Sequence, residues 1–135
     1  MSTFDFHDGE GPVPAHRHKN PNGSLGGWVA ETAFVAPTAH VGYWSWVFGL
    51  AMVDGEATIN NVARVSGRAL VGDNAVICGS AHIMDDSCVS RHGYVGGSSV
   101  ISGRSLVFGA VSSHNVWDAD VPCAQFIEAL TWGVR

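Results

Sequence analysis

The sequence predicts an all-β protein in which short strands alternate with tight turns around one shared interior. Three observations predict it: Val or Ile at every sixth position from 29 to 107, a small residue four positions later in all but the last case, and mostly Gly, Asp or Asn two positions later. Neither an α-helix, with a period of about 3.6, nor a strand, with a period of about 2, returns to one environment every sixth residue. Short strands separated by regularly spaced tight turns are consistent with that period, since Gly, Asp and Asn tolerate tight turns. The aliphatic positions are Val29, Val35, Val41, Val47, Val53, Ile59, Val65, Val71, Ile77, Ile83, Val89, Val95, Ile101 and Val107.

This pattern, seen in "VSGRALVGDNAVICGSAHI" from Val65 to Ile83, resembles the hexapeptide repeat of the left-handed parallel β-helix. The resemblance covers residues 29–112 without interruption and implies about four to five triangular coils. In that fold three hexapeptides make one coil, and the coils stack at about 4.8 Å, so residues 18 apart lie one above another. The aliphatic residues are expected to point inward, with Gly, Asp or Asn at the turns.

The segments outside the repeat are expected to flank and cap the coils, because solenoids need covered ends. Residues 1–27 are polar and rich in Gly and Pro, and we predict an irregular N-terminal arm; residues 28–112 form the β-helix. Residues 113–135 are predicted to be a tail with a short helix, which Asp120 can N-cap and in which Pro122 lies in the first turn. The predicted apolar stripe of this helix contains Phe126, Ile127 and Leu130.

The end of the arm, "GSLGGWVAETAFV", resembles the lead-in of hexapeptide-repeat proteins of phages and prophages. In those proteins a Gly-Gly-aromatic-aliphatic segment opens the first coil. The resemblance spans about a dozen residues and implies a phage or prophage accessory protein, a family with no settled activity.

Composition limits the classes of partner. The net charge of -5 gives no general attraction to nucleic acids or to anionic membranes. The three cysteines show no zinc-ligand spacing, which favours reduced thiols in a cytoplasmic protein. No apolar run is long enough to predict a membrane span.

The first outer face of the predicted coils carries chemically versatile side chains. Trp46, Arg64 and His82 lie at steps of 18, with Phe48 and Met84 beside them. A guanidinium can stack on an indole, and Arg64 with His82 could receive an anion. We therefore predict a ligand or partner face here, with packing of the aromatic residues beneath the N-terminal arm as the alternative.

The second outer face is an apolar column, which usually marks an interface. We predict a homo-oligomer, either a dimer or a trimer, since relatives with this fold are commonly trimers; the alternative is a column covered by the chain's own C-terminal helix. A charge ladder of Arg68, Asp86 and Arg104 follows the adjacent corner and should contribute little stability. The column contains Phe34, Met52, Leu70, Cys88, Leu106 and Phe108.

Catalytic chemistry is mostly missing from the pattern. Many left-handed β-helix proteins are acetyl-CoA-dependent acyltransferases with a histidine base between subunits, and His82 is the candidate base here. Those enzymes usually have a loop that leaves the coils, whereas this repeat is unbroken. The zinc site of γ-class carbonic anhydrases needs two histidines 36 residues apart, a spacing absent among His40, His82, His92 and His114. We expect no metal and no cofactor.

The leading prediction is a non-catalytic binding or interaction protein, implied by the resemblance to be a phage or prophage accessory protein that binds or inhibits a host macromolecular complex. The alternative is an acyltransferase with its active site between subunits and acetyl-CoA as co-substrate.

Overall fold

The computed structural model describes residues 2–112 and the short segments 115–117, 120–121 and 126–127. The chain forms an all-β parallel solenoid of about five turns, as the repeat predicts. Three sheets make its walls, and the strands of the coils pair parallel in each of them. The first sheet has eight strands and the other two have six each.

The first sheet runs, in spatial order, β1 (Thr3–Asp5), β2 (Pro12–Lys19), β3 (Leu25–Ala30), β6 (Trp46–Val47), β9 (Arg64–Val65), β12 (His82–Ile83), β15 (Val100–Ser102) and β18 (Asn115–Trp117). The second sheet contains β4 (Phe34–Val35), β7 (Met52–Val53), β10 (Leu70–Val71), β13 (Cys88–Val89), β16 (Leu106–Val107) and β19 (Asp120–Val121). The third sheet contains β5 (His40–Val41), β8 (Thr58–Ile59), β11 (Val76–Ile77), β14 (Tyr94–Gly96), β17 (Ala110–Ser112) and β20 (Phe126–Ile127).

The predicted interior is confirmed. Every aliphatic residue of the series except Val35 is buried, and most of the small residues at the corners are buried as well. Val35 is half-buried because β4 is the first strand of its sheet and pairs only with β7. The inward wall and the small corner residues together form one continuous core along the column.

The turn geometry explains why Gly, Asp and Asn predominate two residues after each wall residue. Each of these turn positions from Gly49 to Gly103 has a positive φ, between 54° and 70°, which costs little only for Gly, Asn and Asp. Where an Asn or Asp stands there, its side chain also accepts a hydrogen bond from the backbone of the next coil. These bonds run from Gly79 N to Asn61 Oδ1 (3.2 Å), from Arg91 N to Asp73 Oδ2 (2.9 Å) and from Gly103 N to Asp85 Oδ2 (2.9 Å).

The repeat shortens after β16, which differs from the sequence prediction. Up to that point partners lie 18 residues apart, but Val95 pairs with Val111, only 16 residues later. Val111 is therefore an inward wall residue and fully buried, which accounts for the one large residue in the series of small ones. Ser112 follows Val111 in β17 and is half-buried, whereas His114 lies outside the described residues.

The N-terminal arm is not irregular, which corrects the sequence prediction. Strand β1 pairs antiparallel with β2, and β2 pairs antiparallel with β3, so the arm extends the first sheet as a folded meander. The double glycine lets β3 approach the chain segment before β6 closely, because a Cβ on Gly27 would overlap the carbonyl oxygen of Ser45. Polar, Gly-rich composition does not predict these strands, because they lack the six-residue repeat of the coils.

The arm also covers the open edge of the third sheet at β5. The Asn20 side chain donates from Nδ2 to Val41 O (3.1 Å) and accepts at Oδ1 from Val41 N (2.9 Å). His18 Nε2 donates to Ala39 O at 2.8 Å. Both side chains are buried, so they replace the strand that the edge lacks.

The predicted C-terminal helix lies largely outside the described residues, which include only three short strands beyond residue 112. Within the described part of the chain, no helix has the length and apolar character needed to cross a membrane.

Candidate functional site

The first face stacks its side chains as the 18-residue register requires. Trp46 pairs with Arg64, and Arg64 pairs with His82, on successive strands. The Arg64 guanidinium lies 4.6 Å from the centroid of the Trp46 ring, a cation–π contact. Arg64 is exposed, whereas Trp46, His82 and Met84 are half-buried.

The N-terminal arm covers the upper part of this face. Phe4 stacks on Trp28 (centroids 4.9 Å apart) and meets Trp46 edge-on at 5.1 Å. Phe6 stacks on Phe48 at 4.9 Å, and these two rings are only 2% and 7% exposed. Trp46 and Phe48 therefore pack beneath the arm, and their role in a partner face stays a prediction.

His82 lies just below this aromatic cluster and has a specific partner. A hydrogen bond of 2.8 Å joins His82 Nε2 to the Oγ of Ser66, which is itself buried. Burial first, and then the charge of Arg64, lowers the pKa of His82, while Asp85 opposes this effect. The imidazole is therefore neutral at pH 7 and has the protonation state that a general base requires.

A groove of about 540 Å³ opens between the arm and the first three coils. Its apolar residues come from both sides, and three acidic residues also line it. The Glu31 carboxylate already accepts a hydrogen bond from His16 Nδ1 at 2.8 Å. The apolar residues are Phe6, Val13, Pro14, Ala30, Phe48 and Leu50; the acidic residues are Asp8, Glu10 and Glu31.

The second face presents its apolar column to the outside. Four of its side chains are substantially exposed: Phe34 (49%), Met52 (43%), Leu70 (39%) and Leu106 (40%). They lie in one register row on successive strands, with Cys88 between Leu70 and Leu106. Cys88 and Phe108 are half-buried. The Phe108 ring lies 4.6 Å beneath the Arg91 guanidinium.

The corner between the first and second faces carries the predicted charge ladder in part. Arg68 Nε lies 3.3 Å from Asp86 Oδ1, and both side chains are more than half exposed, so the pair contributes little to stability. Neighbouring residues of the same corner, including Arg104, line a shallow depression.

Sequence reasoning missed the residues of the arm that complete the first face. Phe4 and Phe6 alternate in "TFDF", the period of a strand with one buried side, and that signal could have identified them. Arg17 was also missed: its Cζ lies 3.9 Å from the Tyr43 ring centroid, and Nη2 donates to Tyr43 O at 3.0 Å.

Metal ligation has no geometric support within the described residues, where no three His, Cys, Asp or Glu side chains gather. His40 is half-buried on the third face and His92 is exposed at a corner, far apart in the register.

Comparison of the chain with protein-family models, with curated proteins and with solved structures finds no match. The fold defines a class, the parallel β-solenoids, and a fold of this kind hosts many functions. What the chain does must therefore be inferred from the surfaces described above.

Proposed function

We propose that this chain is a non-catalytic interaction protein that holds a cationic, partly apolar segment of another protein in the groove beside its N-terminal arm. The groove carries the proposal because it combines apolar side chains with acidic residues. A lysine or arginine side chain suits such a groove, since its methylene stem packs on apolar surface and its charged end reaches the rim.

Charge supports a basic partner. Asp8, Glu10 and Glu31 line the groove, and the whole chain has a net charge of -5. A negatively charged groove raises the association rate of a cationic partner and rejects an acidic one. The carboxylates are exposed, so the attraction should weaken as salt is added.

The place of the protein in biology is the less direct part of the proposal. The "LGGWV" lead-in supports a phage or prophage accessory protein in the cytoplasm that engages a host complex. Basic, partly apolar segments are common in proteins that bind nucleic acid. A host complex of that kind is the partner class that the groove favours.

Titration calorimetry with three short peptides tests this function. The acetylated peptide Leu-Lys-Phe-Lys-Leu should bind, whereas Leu-Glu-Phe-Glu-Leu lacks the charge and Ser-Lys-Ser-Lys-Ser lacks the apolar surface. The double variant Asp8→Asn with Glu10→Gln should weaken binding about three- to tenfold, because each exposed ionic contact contributes up to about 1 kcal/mol.

Glu56→Gln is the matched control, because this exposed carboxylate lies outside the groove. Equal binding of all three peptides, or equal weakening by the Glu56→Gln variant, would exclude the groove as the site.

A second candidate function, an acetyl-CoA-dependent acyltransferase, is favoured by the neutral, hydrogen-bonded His82. The coils are unbroken from Val29 to Val107, so no loop leaves them to complete a site in the described chain. Incubation with acetyl-CoA and a panel of amines tests it: turnover that His82→Ala abolishes and that exposed His92→Ala leaves intact would replace the binding-protein proposal with this one.

A further inference from the structure

We propose that the second face binds a second copy of this chain across a two-fold axis. This surface is separate from the groove of the proposed function, and its evidence is independent. The proposal is based on three features of the described chain: the exposed apolar column, the placement of charge at its two edges, and the order of those charges along the column.

The column itself requires a flat, apolar partner. Its large side chains project at regular intervals from parallel strands that pair without a shift from Phe34 to Leu106. From β4 to β16, Asp54 is the one charged residue on this face, and it directly follows β7. A second copy offers an apolar column of the same height and spacing.

Charged corner residues of the coils flank this face. From the second coil to the fifth, the corner before it carries Arg68, Asp85, Asp86 and Arg104, and the corner after it carries Glu56, Asp73 and Arg91. The third corner, opposite the second face, is uncharged through the described coils. Its outward residues include Tyr43, Trp44, Asn61, Val62, Ser80 and Ser98. Charge is therefore placed where it would border an interface on the second face.

The order of these charges makes the face self-complementary. Along the column Arg68 precedes Asp86 on one edge, whereas Asp73 precedes Arg91 on the other. Arg68 and Asp73 belong to one coil, and Asp86 and Arg91 belong to the next. In these two middle coils the two edges thus carry the same alternation with opposite signs, whereas Glu56 in the coil above and Arg104 in the coil below have no charged counterpart on the other edge.

A two-fold axis places opposite charges together in either direction. With the two columns parallel, the edges exchange, and Arg68 meets Asp73 of the second copy while Asp86 meets Arg91. With the columns antiparallel, each edge meets itself inverted, and Arg68 meets Asp86 of the second copy. An unrelated partner has no reason to match this alternation.

The size of the face sets the expected affinity. A side of one coil and five stacked coils give a face of roughly 20 Å by 20 Å, from the usual spacings of strands and residues. This is at the small end of specific interfaces, so we expect a dimer that dissociates at low concentration. The mass should approach twice the 14.2 kDa of the chain as the concentration rises.

Sedimentation velocity over a concentration series of the full chain tests the proposal. Leu70→Glu should raise the dimer dissociation constant at least tenfold, because it places a carboxylate in the apolar column. Val62→Glu is the matched control: Val62 is 51% exposed at the uncharged corner, and its replacement should leave the constant unchanged.

Charge exchange supplies a second test with variants of exposed residues. Asp86→Arg alone should weaken the dimer at least tenfold in low salt. Adding Arg91→Asp restores it if the columns are parallel, and adding Arg68→Asp restores it if they are antiparallel. Either restoration supports the proposal and assigns the direction.

A monomer at every concentration, a trimer, equal effects of Leu70→Glu and Val62→Glu, or no restoration by either pair would overturn the proposal. A monomeric wild-type chain would also indicate that the tail beyond residue 112 covers the face. Peptide binding in the groove, measured on the Leu70→Glu variant, separates failure of this inference from failure of the proposed function.

Discussion

At the scale of single residues, the turns perform two tasks with one side chain. Asn61 has a φ of 60°, and its side-chain oxygen accepts a hydrogen bond from the Gly79 amide of the next coil. It therefore adopts the left-handed conformation and also provides a partner for a backbone N–H group. Gly performs only the first task. The mixture of Gly and Asx along the repeat therefore reflects the choice between lower strain and an added hydrogen bond.

Two substitutions at Asn61 separate these tasks. Asn61→Gly should lower the free energy of unfolding by about 0.5–1 kcal/mol, the usual net contribution of one hydrogen bond. Asn61→Ala should lower it by about 1 kcal/mol more, because alanine also pays the left-handed backbone cost. Urea denaturation of both variants measures the difference, and equal stability of the two would contradict the strain argument.

Most of the residue-level pattern could be predicted from the sequence, because a wall residue every sixth position requires an interior. Arg91 is the exception at the turns: it has a φ of 58° although its residue type disfavours that region. Its amide is bonded to Asp73 and its guanidinium lies over Phe108, contacts between coils that periodicity alone does not reveal.

At the scale of elements, the arm shows how the chain protects an open sheet edge. The Asn20 amide makes the two hydrogen bonds with Val41 that a neighbouring strand would make. The buried ring of His18 donates a hydrogen bond to the carbonyl oxygen of Ala39, the residue before β5. An exposed edge invites strand addition, so these two residues act against aggregation as well as for stability.

Two histidines, His18 in this cap and His82 on the first face, make stability depend on pH. Burial is the main cause that lowers the pKa of His18, and burial also lowers that of His82, whereas in the unfolded chain both titrate near a pKa of about 6.5. Below that pH the unfolded state binds more protons than the folded state, so stability is fully present above pH 6.5 and falls as the pH drops toward 5.

Thermal unfolding at pH 7 and pH 5 measures this loss. His18→Gln keeps a side-chain donor but does not titrate, so it should remove part of the pH dependence, and His18→Gln combined with His82→Gln should remove more. A wild-type chain that is equally stable at both pH values would refute the assignment.

The arm is also where sequence reasoning was weakest. Strands of the coils are specified by a repeat, whereas β1 and β2 are specified by what they contact: Phe4 and Phe6 by the aromatic residues of the first face, and Asn20 by an edge. Such contacts depend on long-range neighbours, which no local pattern contains. The groove was missed for the same reason, since the arm forms one of its sides.

At the scale of the whole molecule, each coil contacts mainly its neighbours, so the N-terminal arm and the coils should unfold locally and independently of each other. Phe6→Ala removes a ring that is 2% exposed and should cost about 3–5 kcal/mol. Amide hydrogen exchange should then increase over β1 and β2, with little change over β9 to β13. Equal loss of protection throughout would show that arm and coils unfold as one unit.

The 18-residue layer also has a consequence for how such a gene can change length. Tandem duplication of 18 residues between positions 50 and 85 would make the molecule taller by one layer, about 4.8 Å, and leave every surface continuous. Duplication of six residues would instead move all downstream side chains around by one wall, so that Cys88 and Leu106 would no longer follow Leu70. Natural variants of this chain should therefore differ in length by whole layers, so that the apolar column of the second face and the charged corners beside it stay aligned.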